Sequence, residues 1–294
     1  MKILKLSRWF CLSGSLIIAQ LASAQGKGVS SPEVPIATQW TLDAAGTTQR
    51  SSIKSVFLLI CPKTEKKGTS FLLSGGLVVS NEHVVEGCAA NELEALKPTG
   101  ETVRFKGLIV DSERDLALLL PTEKIVGGLE LGNDSGLPIG TVVTTWGFPL
   151  IYNGPAPILS VGYVAGFNSV QTGSRAVKHI VVNGAFNPGN SGGPVFLSER
   201  NSVVGVVVWK KVLLSPNVGV VISALRHSPV ASGNSLSQRM PDGNVRTISN
   251  EEATALVLEE FARTVQVMIG EAISVSELKA FITEKERALR ENPH

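Results

Sequence analysis

One serine hydroxyl stands within Asn187-Pro188-Gly189-Asn190-Ser191-Gly192-Gly193-Pro194, a string otherwise suited to sharp backbone turns. A serine that attacks a carbonyl needs neighbouring N–H groups aimed at the oxyanion it creates. Gly189, lacking Cβ, can turn its N–H inward beside that of Ser191. A bare Gly-x-Ser-Gly is more often an ordinary β-turn; the eight-residue string is far more specific. A hydroxyl is a weak nucleophile at neutral pH and requires a base, so the four histidines are the next residues to weigh. His294 lies at the chain end, His227 borders a polar segment and His179 sits inside a strand-like run. His83 differs: it follows the apolar run Leu77–Ser80, with Cys88 five residues on to help fix its loop.

The base in turn needs a carboxylate to hold its tautomer and stabilise the imidazolium. Asp115 opens the apolar run Leu116–Leu120, where a carboxylate tends to be buried and must then be hydrogen-bonded. Asp111 competes from four residues earlier, and a plain ion pair between Arg114 and Asp115 is the structural alternative.

Such a triad must be carried on a rigid scaffold. From Ile53 to about Ile222, short β-branched runs recur between Gly, Pro and Asn: Val56–Ile60, Thr69–Leu73, Leu77–Ser80, Thr102–Val110, Leu116–Leu120, Thr141–Trp146, Ile158–Phe167, His179–Val182, Pro194–Leu197, Val203–Trp209 and Val218–Ile222. With no helical periodicity between them, these runs predict an all-β sandwich or barrel architecture and exclude a parallel α/β sheet. Gly132–Gly140 reads as the seam between two halves. Residues 25–50 read as a poorly ordered lead-in and residues 228–248 as a linker. Ser249 with Glu252, and Ser274 with Glu277, form possible capping boxes. Leu258, Phe261, Val265, Met268 and Ile269, then Leu278, Phe281, Ile282 and Leu289, follow at helical spacing, which predicts a helical hairpin over 249–292.

The first 24 residues carry Lys2, Lys5 and Arg8, an apolar stretch from Trp9 to Leu21, and Ala22-Ser23-Ala24, as a secretory signal peptide does. Its removal turns the formal charge of +2 into −1, and nothing argues for nucleic acid. No second long apolar run predicts a membrane span. Cys61 and Cys88 remain after Cys11 leaves, in an oxidising compartment where thiols pair. One disulfide is expected, worth roughly 3.5 kcal/mol in the chain-entropy picture; two separate buried thiols are the alternative.

Together, Gly68-Thr69-Ser70-Phe71-Leu72, Asn81-Glu82-His83-Val84-Val85, Arg114-Asp115-Leu116-Ala117-Leu118 and Gly189-Asn190-Ser191-Gly192-Gly193-Pro194 resemble the trypsin-like serine peptidases, most closely the bacterial HtrA/Deg branch. The order His83, Asp115, Ser191, with separations of 32 and 76 residues, suits that branch, as does Leu131-Gly132-Asn133 through Gly147-Phe148-Pro149. The resemblance covers roughly residues 53–226. It implies two six-stranded antiparallel β-barrels within 51–227, about 51–135 and 138–227, with the triad between them and a C-terminal helical hairpin added.

It also implies that His83, Asp115 and Ser191 are catalytic, that Gly189 and Ser191 supply the oxyanion hole, and that no cofactor or metal is needed. The expected function is an exported, periplasmic or secreted, serine endopeptidase acting on protein or peptide substrates. The alternative is a catalytically silent or latent two-barrel binding module, with the C-terminal helices open to a protein partner or self-association. Ala185, Phe186, Val206 and Val208 would line an apolar primary pocket, which favours cleavage after small or medium apolar residues. The chain departs from the branch in three places: the residues after His227 are too few and too helical for a PDZ domain, Val208 stands where a small polar residue is usual, and Lys210 stands where glycine is frequent. Asn190, where digestive trypsins have an aspartate, matches the branch and argues against activation by a newly cut N-terminus.

Overall fold

Alternation of side chains along the strands decides the architecture. The computed structural model describes residues 33–198, 202–208, 216–227, 235–239, 244–264 and 269–291. Six strands, β1 (Val56–Cys61), β2 (Lys66–Leu72), β3 (Val78–Ser80), β4 (Glu94–Leu96), β5 (Thr102–Asp111) and β6 (Leu116–Pro121), close into a barrel in the order β1-β2-β3-β6-β5-β4. A second barrel joins β7 (Val142–Gly147), β8 (Ile158–Thr172), β9 (Arg175–Gly184), β10 (Pro194–Leu197), β11 (Val203–Val208) and β14 (Ile269–Ser274) in the order β10-β11-β14-β9-β8-β7. All strand pairs in both barrels are antiparallel.

On β6, Ala117 and Leu119 fill the first barrel beside Phe57, Leu72 and Phe105, whereas Leu116 and Leu118 face the seam. On β11, Val204 and Val207 fill the second barrel, whereas Val206 and Val208 face the same seam with Trp146 and Phe196. The C-terminal helix α6 (Val275–Glu291) completes that seam with Leu278 and Phe281, both fully buried. Burial of each contributes about 1.5–3 kcal/mol. Asp134, in the connection between barrels, accepts from Lys178 Nζ at 2.6 Å and from Ser274 Oγ at 2.5 Å, tying the connection to the entry of α6. Cys61 and Cys88 are disulfide-bonded with a Cα separation of 5.9 Å, so the end of β1 is tethered to the segment after α3 (Glu82–Val85).

Four expectations are corrected. The expected poorly ordered lead-in, 25–50, is largely helical where it is described: it holds α1 (Ile36–Ala44) and the start of α2 (Thr47–Ser55), while residues 25–32 lie outside the described residues. The buried faces of the two helices include Thr38, Ser52 and Ser55, so hydropathy hid the helical period; Thr38 Oγ1 donates to Pro98 O at 2.8 Å. Val218–Ile222 belongs to helix α4 (Pro216–Arg226) instead of a strand, because a short apolar run fits either period and Pro216 suits a first helical turn. The presumed linker contains a hairpin, β12 (Ser235–Arg239) with β13 (Val245–Ser249).

The fourth correction concerns the helical hairpin, which is interrupted. Helix α5 (Asn250–Thr264) is capped by Ser249 as expected, with Glu252 N–H donating to Ser249 Oγ at 3.0 Å. Residues 265–268 lie outside the described residues, and Ile269 and Gly270 begin β14, the sixth strand of the second barrel. That barrel therefore does not end at residue 227. Ser274 caps α6 through Ser276 N–H at 3.2 Å, but Glu277 is committed elsewhere and forms no box with it. The signal-like residues 1–24 lie outside the described residues, and among those described no helix is long and apolar enough to cross a membrane.

Candidate active site

β3 ends at Ser80 and the chain turns into the single-turn helix α3, which presents His83. Asp115 receives it twice: His83 N–H donates to Oδ1 at 3.0 Å, and Nδ1 lies 2.8 Å from Oδ2 and 3.0 Å from Oδ1. An ionised carboxylate only accepts, so Nδ1 carries the proton and Nε2 is left as the basic nitrogen. Asp115 has φ +55°, rare for a residue with a Cβ, and its carbonyl accepts from Asn81 Nδ2 at 2.8 Å. Beside the pair, burial first, then the charges of Asp115 and Glu86, push the Glu82 carboxyl above the ordinary range.

Ser191 stands on the turn into β10 and is 4% exposed. Thr69 of β2 anchors the turn across the seam: its N–H donates to Ser191 O at 2.8 Å, and its hydroxyl donates to Gly189 O at 2.7 Å while accepting from Phe148 N–H at 3.1 Å. Gly189 has φ +96°, and a Cβ there would lie 2.4 Å from Phe148 O. Gly192 has φ +83°, and a Cβ there would lie 2.2 Å from Thr69 O and 2.3 Å from Ser80 Oγ. The Ser191 turn is thus packed onto the end of β3, the strand that leads to His83. Behind it, Gly192 N–H donates to Val207 O at 2.9 Å and Val207 N–H to Gly193 O at 2.8 Å, so β11 backs the turn.

The competing residues are placed elsewhere. His179 is buried in the second barrel with Nδ1 2.7 Å from Glu271 Oε2, and exposed His227 has Nδ1 2.8 Å from Ser223 O. His294 lies outside the described residues. Asp111 pairs with Arg114, and Arg114 turns to Asp111, Glu277 and Glu284. Of the expected pocket residues, Ala185 is half-buried, Phe186 packs inside the second barrel against Gly270, and Val206 and Val208 are buried in the seam. Trp209 and Lys210 lie outside the described residues. Asn190 is 1% exposed with its amide against Gly147. Among the described residues no group of three or more His, Cys, Asp or Glu could hold a metal ion. The supporting roles of Thr69, Ser80 and Asn81 were not singled out by sequence reasoning, because uncharged polar residues in strand runs or directly after them carry no signal of their own.

The trypsin-like peptidase domain family matches residues 68–206, a span that holds His83, Asp115 and Ser191. The putative serine protease HhoB of Synechocystis sp. is 31% identical over 150 residues, covering 49% of this chain and 35% of that protein. A probable periplasmic serine endoprotease DegP-like of Pseudomonas savastanoi is 30% identical over 145 residues, covering 49% of this chain and 29% of that one. The chain thus spans about a third of the length of the curated relatives it matches. The crystal structure of Rv3671c protease in an inactive form superposes with a TM-score of 0.52 at 14% identity, over 88% of this chain and 98% of that one, which speaks for the fold alone. Strand order, barrel closure and the matched segment agree: this chain carries a trypsin-like peptidase domain homologous to those of the HtrA/DegP serine proteases.

Proposed function

We propose that the chain is an exported serine endopeptidase that hydrolyses peptide bonds through an acyl-enzyme on Ser191. The observation that carries the proposal is the double grip of Asp115 on His83, which leaves Nε2 basic on the loop packed against the Ser191 turn. His83 Nε2 takes the Ser191 proton as Oγ attacks the substrate carbonyl. The N–H groups of Gly189 and Ser191 hold the oxyanion, and His83 returns the proton to the leaving amine. Water, deprotonated by His83, then releases the acyl group and restores Ser191. The residues supply nucleophile, base and oxyanion donors, and no step calls for a metal or cofactor.

Cleavage after small or medium apolar residues is the specificity that the apolar surroundings of the turn support, with no carboxylate among Ala185, Phe186, Val206 and Val208 to attract a basic side chain. Export to the periplasm is supported by the composition of residues 1–24 and by the compartment in the name of one relative. Digestion of casein, followed by mass spectrometry of the products, tests the activity and the specificity together. Cuts after Val, Ala or Leu that vanish with Ser191→Ala are expected; cuts concentrated after Lys or Arg would overturn the pocket assignment.

A further inference from the structure

We infer that Arg114 is a positioning residue for the triad: the C-terminal helix α6 grips its guanidinium and thereby fixes the backbone from which Asp115 meets His83. The inference rests on the peptidase mechanism proposed above. Arg114 immediately precedes Asp115, yet its side chain points away and is only 2% exposed. Nη1 donates to Asp111 Oδ2 at 2.5 Å and Glu284 Oε2 at 2.9 Å, Nη2 to Glu284 Oε1 at 2.7 Å, and Nε to Glu277 Oε2 at 3.2 Å. Two of the three carboxylates belong to α6, and Glu284 is bound in the two-pronged manner that a guanidinium alone provides.

Arg114 N–H closes the turn by donating to Asp111 Oδ1 at 3.0 Å. The next residue is Asp115 with φ +55°, a conformation that persists only where its surroundings over-determine it. Those surroundings are Asn81, bonded to the Asp115 carbonyl, and the clamped Arg114 on the other side. Hydrogen bonds from Arg114, followed by its charge and the bonds from Arg175, hold the Glu284 carboxyl down to about 2, so the grip stays ionised at neutral pH.

The same network spans the two barrels. Glu277 Oε1 accepts from Lys178 N–H of β9 at 3.0 Å, and Glu113 accepts from Ser174 and Arg175 beside β9. The turn that carries Asp115 in the first barrel is therefore docked, through α6, on the barrel that carries Ser191.

The full chain and its Arg114→Met, Arg114→Lys, Glu284→Gln and Arg175→Gln variants test this with three readouts: kcat and KM on a peptide substrate, melting temperature, and the downfield NMR proton of His83 Nδ1–H. In folded Arg114→Met, kcat is expected to fall about 10–100-fold with KM within about twofold, the scale of a small misplacement of a catalytic group. The Nδ1 proton is expected to broaden or disappear, Arg114→Lys to recover part of both signals, and Arg175→Gln, which takes from Glu284 only a longer bond, to lower kcat less than Arg114→Met does. Lower melting temperatures with wild-type kcat and an unchanged Nδ1 proton in Arg114→Met and Glu284→Gln would overturn the inference. Should Arg114→Met not fold, Glu284→Gln, altered at a 47% exposed side chain, decides by the same criteria. If the wild-type chain proves inactive, the Nδ1 proton still decides the positioning role, so the two proposals fail separately.

Discussion

The Thr69 hydroxyl donates to the Gly189 carbonyl and accepts from the Phe148 N–H, so Thr69→Val leaves two groups unmet at a fully buried position. That substitution is expected to cost about 1–3 kcal/mol of stability and to lower kcat more than KM, as urea denaturation and steady-state kinetics would show. Glu82 gives a pH-dependent prediction. Its carboxyl titrates above the ordinary 4.5, chiefly through burial and then through Asp115 and Glu86. Its protonated form is therefore favoured in the fold, and the associated stability is present below pH 4.5 and lost as pH rises through the raised value. Glu82→Gln is accordingly expected to raise the melting temperature at pH 7 and to leave it unchanged at pH 4; an equal gain at both would contradict the assignment. At this scale Ser191, His83 and Asp115 could be put forward from the sequence because attack on a carbonyl restricts residue type, and the pairing of His83 with Asp115 agrees with that expectation. The roles of Thr69 and Asn81 could not, because they lie in contacts with residues distant in the chain: 120 residues away and across the seam for Thr69 and Gly189, and 34 residues away within the first barrel for Asn81 and Asp115.

Among the elements, α6 matters most to the site and β14 to the fold. The Glu284 carboxyl, held at about 2 by its bonds to Arg114, contributes stability that is complete above the ordinary 4.5 and lost as pH falls through about 2. Denaturation midpoints of wild type and Glu284→Gln are thus expected to differ at pH 6 and to converge on acidification toward pH 2. Residues 209–268 leave β11 and return as β14, strands paired with Val208 opposite Glu271. The segment is therefore an elaboration on a hairpin, and the helical spacing read through Ile269 ran across a real strand boundary. Phe186 packing against Gly270 explains why no larger residue can stand there: a Cβ on Gly270 would lie 2.6 Å from the Phe186 Cβ. Replacing residues 210–267 with a short Asn-Gly turn, which suits paired antiparallel strands, is expected to leave a folded two-barrel protein by circular dichroism.

For the molecule as a whole, the barrels share one buried seam, closed by Leu278 and Phe281 after the last strand. Truncation near residue 227, where the sequence suggested a domain boundary, would remove β14 and α6 together and is expected to abolish cooperative unfolding. The β-branched runs made the all-β class legible, and the motif set implied the barrels. The three-residue β4 and the late return of β14 were hidden, because neither length nor local period distinguishes a strand completed by distant partners. The Cys61–Cys88 bond tethers the segment just beyond His83, joining cysteines at a sequence separation of 27. Its removal in a double Cys→Ala variant is expected to cost about 3.5 kcal/mol in urea denaturation.

All of these expectations converge on one nucleophile, and labelling with a serine-reactive fluorophosphonate tests it most directly. A single adduct on Ser191, abolished by Ser191→Ala and strongly slowed by His83→Ala, is the result the mechanism requires. A folded wild-type chain that takes up no label, or labels equally well without His83, would contradict the catalytic assignment.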